Sequence, residues 1–226
     1  MTAQDEHAPP VEELVCCVGL GPGWVDLTLA TGVRTEAEAL ARRAVEVYGP
    51  RGLRIEEQAL FDDVADRAMD LNADGPVMAA VFYSGTGEAV ADFVIDTYLD
   101  QQETGAVDDT DAADDPDPPR RGLDQARTLL LDWAGGGTAG TPEVTYPDLP
   151  AGPAVRVLSQ VRTRQLLGLV RHDTGSLTYA VLPPGFRSLV LASFTWRNMA
   201  HTRKVATLAE ELMATLQVVP RGYPLV

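Results

Sequence analysis

The sequence predicts an α+β protein in which a mostly antiparallel β-sheet is flanked by α-helices. Apolar residues recur at helical spacing in several well-separated segments. Between residues 144 and 196, short β-competent runs alternate with turn clusters, a pattern typical of an antiparallel meander. With 226 residues, of which 45% are hydrophobic, the chain can bury a substantial core. We expect a single domain over residues 1–226, with a flexible N-terminus at residues 1–12.

The first part of the chain predicts two short extended stretches around a glycine-rich turn. Residues 14–20 form an apolar run, and Gly19, Gly21 and Gly23 place turn residues at its end. Trp24 begins a second stretch that fits an extended conformation through residue 29. We therefore expect the chain to bend at residues 19–23.

Two amphipathic helices are predicted next. Thr35 and Glu38 have the spacing of a capping box, so Thr35 should cap a helix that continues to Tyr48. A second helix is predicted over residues 55–71, because its apolar residues recur every three or four positions. A β-hairpin should follow, with strands at residues 77–83 and 88–99 joined by a glycine-bearing turn.

Residues 100–121 differ from the rest of the chain in composition. They are rich in aspartate, contain adjacent prolines and have almost no large apolar residue. Such a segment cannot offset its ordering entropy by burial, so we expect a disordered acidic linker. A short helix is predicted after it, over residues 123–133.

The remainder predicts an antiparallel meander and a closing helix. Asp173-Thr174-Gly175 and Pro183-Pro184-Gly185 are interpreted as reversals of the chain. The closing helix is predicted over residues 201–217, with Leu212 on its apolar stripe. Whether this stripe is core or a partner-binding face stays open. The predicted strands are 144–146, 154–163, 166–172, 176–182 and 189–196.

The charge of the chain excludes some classes of partner. The net charge is −15, which argues against nonspecific binding to nucleic acid or to anionic lipid, since both require a basic surface. Residues 151–226 carry nine Arg or Lys against three Asp or Glu, or +6, and residues 1–150 carry nine against thirty, or −21. No apolar run reaches the length of a membrane span. The N-terminus lacks the pattern of a signal peptide, so a soluble cytoplasmic protein is expected.

The cysteines and histidines indicate no metal site. Cys16 and Cys17 are adjacent, so in a strand their side chains would point to opposite faces. His7, His172 and His201 are isolated, without metal-ligand spacing. We expect no metal, no cofactor and no catalytic residue. The tryptophans are interpreted as core or edge packing. The single lysine among many arginines indicates an actinobacterial origin.

The glycine turn carries one family resemblance. Val18-Gly19-Leu20-Gly21-Pro22-Gly23, followed by Asp26-Leu27-Thr28-Leu29, resembles the opening of the tetrapyrrole methylases, which bind S-adenosylmethionine. The resemblance implies a methyltransferase with Gly19, Gly21 and Gly23 as cofactor-binding candidates. The alternative is that these residues only make the bend before Trp24. A helix after Gly23 would favour cofactor binding, and a strand would favour the second resemblance.

A second resemblance extends over most of the chain. The order of Gly23-Trp24-Val25-Asp26-Leu27, two helices, a hairpin, the strand from residue 154 and the closing helix resembles the PsbP-like and LpqN-like α/β/α sandwiches. Such folds serve as binding and accessory modules, so the resemblance implies no particular reaction. The function that we predict is a non-enzymatic accessory or adaptor protein that binds a protein partner, secretion-associated or part of an assembly.

One strand suggests a binding face. On the strand from Val155, the side chains of Arg156, Arg162 and Arg164 alternate with valines and should share one face. A row of guanidinium groups could bind an acidic peptide or a phosphorylated ligand. The alternative is the wet face of an antiparallel sheet, neutralised by the chain's own acids.

Overall fold

The structure is a computed structural model that describes residues 14–48, 55–99, 118–134, 139–165 and 170–221. It contains an eight-stranded antiparallel sheet, a separate two-stranded sheet and four α-helices, so the α+β class is confirmed. The predicted flexible N-terminus and residues 100–117 of the predicted linker lie outside the described residues. The helices are α1 (Arg34–Tyr48), α2 (Glu57–Leu71), α3 (Pro118–Ala134) and α4 (Thr202–Met213), the last preceded by a 3-10 turn (Met199–His201).

The main sheet joins the two halves of the sequence. Its order is β2-β3-β4-β9-β8-β7-β5, with β6 paired to β7, so the hairpin β3–β4 meets the C-terminal meander at the contact between β4 and β9. Strands β1 and β10, from opposite ends of the chain, form the smaller sheet. The strands are β1 (Leu14–Cys17), β2 (Trp24–Asp26), β3 (Met78–Tyr83), β4 (Ala89–Leu99), β5 (Glu143–Thr145), β6 (Asp148–Leu149), β7 (Gly152–Gln165), β8 (Val170–Val181), β9 (Ser188–Trp196) and β10 (Gln217–Pro220).

The two faces of the main sheet bury different helices. We call the face covered by α4 and by the β1–β10 sheet the inner face; its core contains the stacked rings of Phe93 and Phe194. The opposite, outer face is covered at one side by α1 and α2, which pack on β3, and at the other by α3, which packs on β7 and β8. Along each strand the side chains alternate between these faces, as the period of two requires.

The structure corrects one of the two chain reversals predicted in the C-terminal meander. The predicted reversal at Asp173-Thr174-Gly175 is wrong, because these residues lie inside the continuous strand β8 and pair with β7. Gly175 is required there for a different reason: the ring of Trp196, on the adjacent strand, lies across it, and an added Cβ would overlap the indole. The predicted reversal after β8, at Pro183-Pro184-Gly185, is confirmed.

Each of the four helices differs from the prediction at a boundary, and α2 begins at Glu57 rather than at residue 55. Thr35 does not cap α1, which begins at Arg34; instead the Glu36 carboxylate accepts hydrogen bonds from the backbone N–H groups of residues 30 and 31. Helix α3 begins at Pro118, so residues 118–121 belong to the helix and not to a linker.

The closing helix ends at Met213, not at the predicted residue 217, and residues 217–220 form β10. Leu212 is 3% exposed and packs in the inner-face core, so the apolar stripe of α4 is core. Of the helices that the structure describes, none is both long and apolar enough to cross a membrane.

Candidate functional site

The outer face carries an exposed pair of aromatic side chains. Tyr98, near the end of β4, is 39% exposed, and Trp133, in the last turn of α3, is 55% exposed. Their rings meet edge to face, with centroids 6.0 Å apart and an angle of 84° between the ring planes. Large apolar side chains of this kind are normally buried when no partner covers them, so a pair in contact on the surface is an informative feature.

The alternation of side chains along β4 and the helical repeat of α3 bring these two residues together. On β4, Phe93 and Ile95 point to the inner-face core, so the even-numbered residues, including Tyr98, point to the outer face. On α3, Ala126 and Leu130 are buried against the sheet. Trp133 comes three residues after Leu130 and continues that stripe beyond the edge of the buried contact.

Two carboxylates are close in sequence to the aromatic pair, and a third interacts with one of them. Asp96 lies two residues before Tyr98 on the same face of β4, Asp74 follows α2, and Asp132 precedes Trp133; all three are exposed. Partial burial, together with the charge of Asp74, raises the pKa of Asp96. Within the described residues, neither Asp74 nor Asp96 has an ion pair or a side-chain hydrogen bond. We call Asp74, Asp96, Tyr98, Asp132 and Trp133 the acidic-aromatic patch.

Two other acids of the outer face, Asp63 and Asp92, are paired within the protein, unlike Asp74 and Asp96. Arg67 on α2 donates to Asp63 at 2.9 Å and to Asp92 on β4 at 2.7 Å. The Tyr83 hydroxyl donates to Asp63 at 2.6 Å. Burial and the neighbouring carboxylates raise the pKa of Tyr83. This network joins α2 to the sheet, and its charges are satisfied internally.

The predicted basic face has a different environment from the one expected. Arg156 is only 9% exposed, and its Nη1 lies 3.4 Å from Glu143 Oε1. Arg162 donates from Nε to Asp173 at 2.8 Å. The side chain of Arg164 lies outside the described residues. Both described guanidiniums therefore contact carboxylates of this chain, and the role of Arg156, Arg162 and Arg164 in binding a partner stays a prediction.

The glycine turn at residues 19–23 leads into a strand, not a helix. Gly19 donates its backbone N–H to Thr215 Oγ1 at 2.9 Å, and Gly23 accepts from the Tyr83 N–H at 2.8 Å. Gly23 has a positive φ of 94°, and a Cβ there would overlap the ring of Phe82. Because Trp24 begins β2, the observation favours the sandwich interpretation over the S-adenosylmethionine turn.

The sequence did not reveal the acidic-aromatic patch. Trp24 and Trp196 pack on the inner-face core as expected, whereas Trp133 is more than half exposed. The available signal was a tryptophan in the last turn of an amphipathic helix, followed in the sequence by Ala134 and three glycines. Among the described residues, no group of three or more His, Cys, Asp or Glu side chains could hold a metal ion.

Comparison with known proteins gives distant structural likenesses. No protein-family model and no curated protein sequence matches the chain. LpqN of Mycobacterium tuberculosis, involved in cell envelope biogenesis, is 8% identical with a TM-score of 0.47, over 95% of this chain and 88% of LpqN. The Saccharomyces cerevisiae Ran-binding protein Mog1p is 12% identical with a TM-score of 0.36, over 64% of this chain and 81% of Mog1p.

A third similar structure comes from Bacteroides thetaiotaomicron. It is 14% identical with a TM-score of 0.36 and matches 65% of this chain, which spans only 41% of its length. These likenesses are distant and concern the fold alone. The resemblance to tetrapyrrole methylases and the actinobacterial origin stay predictions.

Proposed function

We propose that the protein is a non-enzymatic accessory protein that binds a basic segment of a protein partner at the acidic-aromatic patch. The observation that carries the proposal is the exposed Tyr98–Trp133 pair, with Asp96 two residues before Tyr98 on the same face of β4. Asp96 interacts with Asp74, and neither carboxylate has a cation among the described residues. An accessory protein of secretion or of a larger assembly would use such a surface.

The chemistry of the patch fits a Lys or Arg side chain. Tryptophan and tyrosine are the residue types that contribute most often to the binding energy of protein interfaces. Their ring faces also attract cations, at about 0.5–1 kcal/mol for an exposed pair. A guanidinium or ammonium beside Asp74 and Asp96 would relieve the mutual repulsion that helps to raise the pKa of Asp96.

The charge of the chain supports the same class of partner. The described patch belongs to residues 1–150, which carry a net −21. A surface of one sign speeds association with a partner of the opposite sign and disfavours partners of like sign. We therefore expect binding that weakens steeply as salt is added.

The proposal can be tested with a hexa-arginine peptide by calorimetric titration at an ionic strength of about 0.15 M, where the Debye length is about 8 Å. The Asp74→Asn/Asp96→Asn variant removes both unpaired carboxylates while keeping their size. Each exposed ion pair contributes about 0.2–1 kcal/mol, so the double variant should bind the peptide about twofold to thirtyfold more weakly.

A matched control separates local recognition from the effect of net charge. The Glu46→Gln/Glu211→Gln variant also removes two negative charges, from exposed positions on α1 and α4. Its affinity for hexa-arginine should stay within about twofold of the wild-type value, because exposed distant charges are screened. Equal losses in the two double variants would contradict recognition at the patch.

A further inference from the structure

Strand β2 ends the main sheet on one side, and its free edge carries backbone groups without a partner among the described residues. The Leu27 N–H donates to the Ala79 carbonyl at 2.8 Å, so these two residues form a hydrogen-bonded pair of the antiparallel ladder. Because such pairs alternate with pairs that are not hydrogen-bonded, the N–H and C=O of Asp26 point away from β3, as does the Trp24 carbonyl. The edge can therefore accept a further strand.

A cavity of about 370 Å³ lies between this edge and α1. On the sheet side it borders residues 24–28, which span about 13 Å in an extended chain. On the helix side it borders residues 40–48, which span about 12 Å of α1. The strand edge and the helix line the cavity over similar lengths, so one extended segment can contact both.

The helix side of the cavity is mostly apolar and carries one cation. Leu40, Ala44 and Val47 line it at helical spacing, and Val47 is 53% exposed. Arg43 also lines it, and within the part of the chain that the structure describes, no ion pair or hydrogen bond involves its side chain. The other two arginines of α1 each pair with carboxylates of this chain. The Arg43 guanidinium is thus available to a carboxylate from another molecule.

The carboxylate on the sheet side does not neutralise this cation. Asp26 lines the same cavity, but it forms no ion pair with Arg43, and its Oδ1 accepts the Thr28 backbone N–H at 2.9 Å. An extended segment that enters the cavity therefore meets backbone hydrogen-bonding groups on one side. On the other side it meets an apolar surface with a cation.

We propose that an extended peptide segment of a partner protein adds to β2 as a further strand, with an apolar side chain against Val47 and a carboxylate bound to Arg43. Backbone hydrogen bonds to β2 supply affinity, and the α1 side of the cavity selects the side chains. Side chains on one face of a strand are about 6.6 Å apart, and residues 43 and 47 are about 6 Å apart along the helix. The matching segment therefore has an apolar and an acidic residue two positions apart. This surface shares no residue with the acidic-aromatic patch, so the two proposals can fail separately.

The probe is the peptide acetyl-Thr-Val-Thr-Glu-Thr-amide, and the same peptide with Gln in place of Glu is its neutral control. In two-dimensional NMR spectra of the full chain, the acidic peptide should shift the Asp26 amide signal with a saturating dose dependence. The Val25 amide, which faces β3, should move less. The Gln peptide should bind about twofold to fivefold more weakly.

Methylation of single peptide nitrogens tests the added strand itself. Neighbouring N–H groups of a strand point to opposite edges, so N-methylation of the third and of the fourth peptide residue blocks different edges. Only one of the two methylated peptides should lose affinity, by about fivefold, because only one edge faces β2. Equal affinities of the two methylated peptides would contradict strand addition.

Two variants test the helix side of the cavity. Arg43→Gln should weaken binding of the acidic peptide about twofold to fivefold and leave binding of the Gln peptide unchanged. Val47→Thr replaces a methyl group by a hydroxyl and should weaken binding of both peptides about threefold. The matched control is Arg203→Gln, which removes a cation from an exposed position on α4 outside the cavity lining. Its affinity for both peptides should equal that of the wild type.

Three results would overturn the proposal. The first is an Asp26 amide signal that the acidic peptide does not move. The second is an equal loss of affinity in Arg43→Gln and Arg203→Gln, which would reduce the effect to net charge. The third is a shift of the Asp26 signal when the protein is concentrated without peptide, which would assign the free edge of β2 to a second copy of this chain.

Discussion

The contact between Gly175 and Trp196 predicts that a side chain added at residue 175 destabilises the main sheet. Trp196 is 2% exposed, belongs to the inner-face core and lies across Gly175 on the neighbouring strand. A methyl group in the Gly175→Ala variant would overlap the indole, so the ring would have to move. Overpacking of this kind costs about 1–3 kcal/mol. Losing the indole hydrogen bond to Thr202 adds about 1 kcal/mol, so the free energy of unfolding should fall by about 2–4 kcal/mol.

Urea unfolding followed by tryptophan fluorescence would measure this change. Gly85→Ala is the matched control, because Gly85 lies in the β3–β4 turn with open space around its Cβ position and no positive φ. Its unfolding midpoint should equal or slightly exceed that of the wild type. A Gly175→Ala variant as stable as the Gly85→Ala variant would refute the packing of Trp196 on β8.

Three further predictions concern stability. Leu212→Ala should lower the free energy of unfolding by about 2–5 kcal/mol in the same urea assay, because Leu212 is buried in the inner-face core; an unchanged midpoint would place α4 outside that core. Burial raises the pKa of Cys16 from 9.0 to about 11, so the unfolded state ionises first and stability should fall between pH 9 and 11. Melting temperatures measured from pH 9 to 11 should fall less in the Cys16→Ala variant than in the wild type. An equal fall in the two proteins would exclude Cys16 as the cause. Tyr83→Phe removes the hydrogen bond to Asp63 and should lower the free energy of unfolding by about 1 kcal/mol in urea at neutral pH. An unchanged free energy of unfolding would mean that Asp63 does not need this hydrogen bond.

Local patterns predicted the helices and the first hairpin well. Helices α1 and α2 each bury one stripe of residues at helical spacing, and this periodicity is visible without knowledge of the rest of the fold. The β3–β4 hairpin is likewise encoded by two β-competent runs around a glycine-bearing turn. These elements are set by residues close together in sequence, so the sequence alone suffices for them.

The elements that were missed depend on distant partners. The helical spacing predicts a helix through residue 217, and only the pairing of residues 217–220 with residues 14–17 makes this segment a strand. Asp173-Thr174-Gly175 has the composition of a turn, and only the ring of Trp196 explains a glycine inside β8. Tertiary contacts overrode local propensity in both cases.

The candidate site was less predictable than the fold. An arginine row could be recognised on β7, but the carboxylates that contact it, Glu143 and Asp173, come from other strands. The acidic-aromatic patch required knowing that β4 and α3 lie side by side, which brings Tyr98 to Trp133 across a separation of 35 positions in the sequence. Exposure is a property of the folded surface, and composition does not report it.

The central claim is that a basic segment binds at the acidic-aromatic patch, and the indole N–H signals test it most directly. The protein has three tryptophans, and Trp24 and Trp196 pack against the inner-face core, away from the patch. In an NMR titration with hexa-arginine, the account predicts that the Trp133 signal shifts and saturates while those of Trp24 and Trp196 stay in place. An unmoved Trp133 signal, or equal shifts of all three, would contradict it.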